Sequence, residues 1–209
     1  MDRRPGSGCL APAEVGPFLA RLVRLDPGAL VRLRPAGPDA VALWGRVPWG
    51  VLATRTVPAP SIVDSTVGAA DLFRSLTEGD GSLPPARDPE WRWALPSGPG
   101  TAVEALPVRE VYRLGAAAAE TLRARRGRVG DRVLRDALLD HVPITVTAGD
   151  REVPVRQGML QAVLRMGFMN TDGLDHITVR ISGAWVGLGA EHGSVWLQNR
   201  PSLAIRIAE

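Results

Sequence analysis

Lysine is absent from this chain: all 25 of its basic side chains are arginine. A catalytic lysine base, a Schiff-base lysine and the lysine of a phosphate-binding loop are thereby excluded, since guanidinium forks clamp anions but do not give up a proton. Cysteine is nearly absent, and Cys9 alone supports neither an intrachain disulfide nor a cysteine-based zinc site. One tyrosine and three phenylalanines leave six tryptophans to supply most of the aromatic bulk. No stretch approaches the roughly 18 apolar residues of a membrane span. Met1-Asp2-Arg3-Arg4 runs into Pro5-Gly6-Ser7-Gly8 with no apolar run of signal-peptide length. The expectation is a cytoplasmic protein with no membrane partner. Scarce lysine, asparagine and tyrosine beside plentiful alanine, glycine, proline and arginine is the skew that codon drift in a GC-rich genome produces.

The isoelectric point near 10.2 looks like a nucleic-acid signal. At neutral pH, however, the 25 arginines face 22 acids and the net charge is only +3. Without lysines, that charge falls only as the amino terminus, Cys9 and Tyr112 deprotonate, which carries the isoelectric point toward the tyrosine pKa of about 10. The high value reflects missing buffering groups rather than a basic surface.

With 209 residues the chain suffices for one large domain or two small ones. Val15, Phe18, Leu19, Leu22 and Val23 recur at helical spacing, with Pro17 expected in the first turn. Strands are expected over 29–34, 40–46 and 51–57, joined by turn-rich connections as an antiparallel meander. Asp64-Ser65-Thr66 offers N-caps for a helix carrying Ala69, Ala70, Phe73 and Leu76. A loop follows over 78–89, then a strand-like piece bearing Trp91 and Trp93. The breakers Pro96-Ser97-Gly98-Pro99-Gly100 mark a boundary between halves 1–100 and 101–209.

In the second half, Pro107 suits the first position of a helix with the stripe Val108, Val111, Tyr112, Gly115, Ala118, Ala119 and Leu122. Gly127 ends or bends it. A second helix over 129–141 is expected to bury Val133, Leu134, Ala137 and Leu138. A hairpin over 144–155 and a third helix with Met159, Leu160, Val163 and Leu164 facing inward come next. Strands over 177–182, 184–188, 194–198 and 202–207 close the chain. Helices and strands cluster without a βαβ rhythm, so the fold class is α+β, two small halves each pairing helices with an antiparallel sheet.

Three sets of residues are candidate sites. Arg123, Arg125, Arg126 and Arg128 form a corner able to neutralise phosphates of a nucleic acid or bind another anion. Its bland reading is a solvated helix end, with Arg132 paired to Asp136 and Arg135 to Asp131 at i,i+4. Trp49, Trp91 and Trp93 are candidates for a partner surface, Trp49 as the exposed one and Arg46 or Arg92 as cation–π neighbours. The bland reading packs them in the core. His141, His176 and His192 each follow an acid, but adjacent residues face each other only in loops. Asp172, His176, Glu191 and His192 show no HxH or HxxxH spacing, so neither a metal nor a cofactor is expected. Gly183 to Gly189 mimic part of a dinucleotide fingerprint but lack a following helix N-terminus, and no G-x-S-x-G elbow exists.

The reading is a non-enzymatic regulatory or interaction module acting through a protein partner, self-association or nucleic acid. Its rival is an enzyme on a small anionic substrate, with an arginine clamp and His176 or His192 as acid–base group. The rival requires both histidines to line one pocket with an arginine and a carboxylate.

Overall fold

Proline opens the first helix rather than interrupting it late. In the computed structural model, which describes residues 10–60, 62–78, 81–125, 130–169 and 175–199, α1 spans Pro12–Leu25 with Pro12 in its first turn. A first-turn proline sacrifices no helical hydrogen bond. Pro17 is therefore interior, not first-turn as its sequence context suggested. The bond it cannot donate is tolerated in a helix that buries Val15, Phe18, Leu19 and Leu22. Strands β1 (Leu30–Pro35), β2 (Ala40–Arg46) and β3 (Leu52–Pro58) then form the expected meander, with Trp44 directly opposite Arg32 on one side and Thr54 on the other.

The Asp64-Ser65-Thr66 stretch is not a helix cap. Ser65–Gly68 forms a fourth strand, β4, along the outer edge of β1, and α2 (Ala69–Glu78) leaves directly from it. Backbone pairing with Leu30–Leu33 takes up these residues instead, and the Ala69 N–H at the start of α2 donates to the Ala29 carbonyl at 2.9 Å. A 3-10 turn at Asp88–Glu90 covers the free edge: the Thr66 N–H donates to the Asp88 carboxylate at 2.6 Å, and the Arg87 N–H to the Thr66 carbonyl at 2.7 Å.

The second half opens with a strand that periodicity did not announce, β5 (Thr101–Pro107), so that Pro107 ends a strand and caps α3 (Val108–Ala124). α4 (Asp131–Asp140) contributes only half-buried Leu134, Leu138 and Leu139; Ala137 is exposed and Val133 is 66% exposed, against the expectation that they would be buried. Hairpin β6 (Ile144–Ala148) and β7 (Arg151–Val155) turns at Gly149, whose φ of +61° suits glycine. α5 (Gln157–Met166) buries Met159, Leu160, Ala162 and Val163, and stops on left-handed Gly167. β8 (His176–Ser182), β9 (Trp185–Ala190) and β10 (Gly193–Gln198) complete an antiparallel run. Cys9, Gly127, Val129, Asp172 and the strand expected over 202–207 lie outside the described residues.

The fold is α+β. The two four-stranded halves join into a single antiparallel sheet of order β4-β1-β2-β3-β10-β9-β8-β5, fused where Leu52, Ala53 and Thr54 pair with Trp196, Val195 and Ser194. α1, α2 and α5 pack together with Val31, Leu33, Val41, Leu43, Ala53, Val57, Val179, Leu188 and Val195 in the main core. The chain between α2 and β5 crosses the opposite face: Trp93 lies over Arg46 on β2, and Ser97 meets Ser182 on β8 at 3.3 Å between their hydroxyls.

Candidate functional site

Strand alternation sends Arg32 and Arg34 (β1), Trp44 and Arg46 (β2), Thr54 and Thr56 (β3), Trp196 (β10) and Arg180 (β8) away from the helices. On this face Trp44, Trp91, Trp93, Trp185 and Trp196, five of the six tryptophans, gather around Leu30, Leu52 and Leu95 as a second apolar cluster. Trp91 and Trp93 meet edge to face at 5.1 Å, the Trp91 Nε1–H donates to the Trp93 carbonyl at 2.8 Å, and the Arg46 guanidinium sits 5.1 Å from the Trp93 ring centroid. Trp196 is fixed by its Nε1–H on the Ser194 hydroxyl at 3.0 Å. It lies over Gly187, where a Cβ would come within 2.7 Å of its ring.

Two adjoining cavities of about 570 and 460 Å³ form a trench across this face, sharing Thr54, Thr56, Arg180 and Ser194 as common walls. One end carries Arg34, Trp44, Trp196 and the Pro96–Pro99 loop; the other carries Thr178, Glu191 and His192. The Arg180 Nη1 donates to the carbonyls of Gly100 (3.2 Å) and Pro99 (3.5 Å), and no carboxylate among the described residues pairs with it. Thr54 is only 8% exposed and its Oγ1 has no hydrogen-bond partner among the described residues. Beside the trench, Asp64 accepts from Arg32 at 2.8 and 3.1 Å and faces Arg34 at 3.2 Å. The hydrogen bonds from Arg32, outweighing desolvation, hold the Asp64 carboxyl below the usual carboxylate range; the same contact raises Arg32.

Residues 95–202 match the family described as "Domain of unknown function (DUF8185)", just over half of the chain. The chain belongs to that family. Residues 10–93 match a second family, "Domain of unknown function (DUF8010)". No curated protein matches. Among solved structures, the β subunit of DNA polymerase from Streptococcus pyogenes superposes with a TM-score of 0.56 at 12% identity, over 91% of this chain and 63% of that one. The Helicobacter pylori β clamp in complex with carprofen gives 0.58 at 8% identity, over 97% and 67%. The C. crescentus β sliding clamp gives 0.54 at 12%, over 91% and 64%. The chain thus spans less than two thirds of the first of these, and likeness at such low identity is a likeness of fold alone.

Within this DUF8185 chain the sequence-nominated residues scatter. Trp49 is not exposed: it is half-buried against the main core, its Nε1–H donating to the Gly158 carbonyl at 2.8 Å. A turn position gave no hint of that partner, 109 residues away. Trp91 and Trp93 do not share a strand, since 91–96 is irregular, and Trp91 is 8% exposed. Arg123 and Arg125 are exposed at the end of α3, while Arg126 and Arg128 lie outside the described residues. Arg132 reaches Asp136 at 3.9 Å. His141 and His176 are exposed, and only His192 lines the trench, beside Glu191 and Arg180. No group of three His, Cys, Asp or Glu fit to hold a metal occurs among the described residues. Arg34, Arg180, Thr54 and Trp196 were not singled out from the sequence. Alternation in 177–182 already placed Arg180 with Thr178 and Ser182, but the glycine gap beside them exists only once β8 and β9 are paired.

Proposed function

We propose that the protein is a non-enzymatic interaction module that binds an extended segment of a partner protein in the trench. The observation that carries this reading is the concentration of five tryptophans on the face opposite the helices, bordering a trench whose buried Thr54 hydroxyl has no partner among the described residues. Aromatic anchors beside adaptable polar groups are the make-up of binding hot spots. The fold likeness to polymerase sliding clamps supports an interaction role, one such clamp being described with polyethylene glycol in a putative "beta-motif tethering region". In the same reading the halves 1–100 and 101–209 are two units sharing a sheet, supported by the change of family between residues 93 and 95. Among the described residues no helix is long and apolar enough to cross a membrane, and the cytoplasm is the proposed location.

The test is selection from a displayed random-peptide library, repeated with Ala42→Phe, which places a ring in the cavity Ala42 lines. Enrichment of peptides by the wild type, lost in the variant, is the expected result. Peptides that bind both proteins equally would move the interaction elsewhere.

A second reading keeps the trench as a small-molecule site, because His192, Glu191 and Arg180 do line one cavity. It predicts a raised unfolding midpoint with a small anionic metabolite and none with peptides. His176 does not share that cavity, so the pairing of both histidines that the enzyme reading required is not met there. A nucleic-acid reading rests on Arg123, Arg125, Arg126 and Arg128, and requires their alanine variants to flatten the salt dependence of binding.

A further inference from the structure

We infer that the segment taken by the trench is acidic, with one carboxylate clamped by Arg180 and an apolar neighbour seated between Trp44 and Trp196. This rests on the trench being a partner site, and it adds the chemistry of the partner.

Charge is the first argument. Among the described residues the tryptophan end of the trench is lined by Arg34 and Arg180 with no acid, and Glu191 stands at the opposite end. Arg180 is placed for recognition rather than for stability. Its Nε stands 3.5 Å from where a Cβ on Gly189 would be, so its stem covers a strand position that has no side chain. Its Nη1 is steered by two backbone carbonyls from the Pro99–Gly100 turn. A guanidinium carries five N–H donors. The described contacts engage Nη1 alone, leaving Nε and Nη2 to grip a carboxylate bidentately. Because Arg180 walls both cavities, a group held there lies midway along the trench.

The surroundings supply the remaining contacts. Thr54, buried with an unsatisfied hydroxyl, adds a donor once its χ1 turns toward a ligand, and Ser194 borders the same site. Trp44, Trp196, Pro96 and Pro99 give an apolar wall at the Arg34 end. An extended peptide projects successive side chains to opposite sides, so neighbouring acidic and apolar residues meet different parts of the trench. A nucleic acid fits less well. Phosphate backbones need a row of cations, whereas Arg34 already shares Asp64 with Arg32 and the far end is closed by Glu191.

The test uses two fluorescein-labelled nonapeptides, Gly-Glu-Glu-Leu-Glu-Leu-Glu-Glu-Gly and the same peptide with glutamine at every glutamate, measured by anisotropy on the full chain. The glutamate peptide should bind about ten-fold tighter or more, as one charge-assisted bidentate contact implies. Arg180→Gln should erase that preference without weakening the glutamine peptide, and Arg180→Lys should restore part of it. Asp64→Asn, which releases Arg34, should increase the preference, a gain that misfolding does not produce. Equal binding of both peptides, with the Ala42→Phe effect on selected peptides intact, would overturn the acidic inference while leaving the partner site standing. Failure of both peptides to bind, an unchanged preference in Arg180→Gln, or displacement by a nonanucleotide of single-stranded DNA with higher affinity would each overturn it as well.

Discussion

The two faces of the sheet have the same eight strands and opposite characters. One is smooth and aliphatic, with Val31, Leu33, Val41, Leu43, Leu188 and Val195 sealed beneath α1, α2 and α5. The other carries arginine, threonine and tryptophan, and among the described residues only an irregular strap crosses it. Hydrophobic burial explains the first completely. It does not explain the second, where, among the described residues, a buried hydroxyl is left without a partner and Arg180 is held by carbonyls without a carboxylate. The larger core lies on one face, and the unspent recognition chemistry lies on the other beside a smaller apolar cluster.

The sharpest break in that comparison is Leu188→Ala on the covered face. It should lower stability by about 2–5 kcal/mol in urea titration, the loss of a fully buried leucine plus its cavity. Gly187→Ala, on the trench face of the same strand, should cost about 1–3 kcal/mol, because Trp196 has to move off a Cβ that would stand 2.7 Å away. Its signature is a change in near-ultraviolet circular dichroism that Leu188→Ala lacks at matched foldedness.

Thr54→Val has the opposite sign. Replacing an unsatisfied buried hydroxyl by a methyl of the same shape should stabilise the protein by up to about 1 kcal/mol, while weakening any ligand that uses it. A loss of stability on this substitution would mean that the hydroxyl has a partner, and the contrast between faces would soften.

The smallest effect is electrostatic. Asp64 has its carboxyl pKa lowered by Arg32, so its contribution is fully present above the unfolded carboxylate range and lost as pH falls through the folded value. Wild type and Asp64→Asn should differ slightly in urea midpoint at pH 7, and the difference should begin to shrink at about pH 4 and vanish only below the lowered folded value. A difference that grows on acidification would contradict the sign.

Much of the fold was legible in the chain, because period-two alternation and glycine or proline turns are local signals. The meander, the 144–155 hairpin, α5 and strands β8 to β10 follow from them. β4 and β5 were not legible. Ser65 and Thr66 carry cap chemistry but pair with β1 through the backbone, and β5 is an edge strand whose residues are largely exposed, so it lacks an apolar stripe. The trench was less legible still. Thr54, Ser194 and Arg180 become neighbours only through the β3–β10, β10–β9 and β8–β9 registers, and no local pattern encodes which half meets which. The tryptophans were visible as a group, yet Trp49, nominated for exposure, is the one locked to the helical side by Gly158.

That exception provides an internal control for the central claim that the trench face is the partner face. With uniformly ¹⁵N-labelled protein, the six indole N–H signals can be followed as a library-selected peptide is added. Shifts at Trp44 and Trp196, with Trp49 unmoved, are the result predicted here; a shift at Trp49 with Trp44 and Trp196 stationary would contradict it.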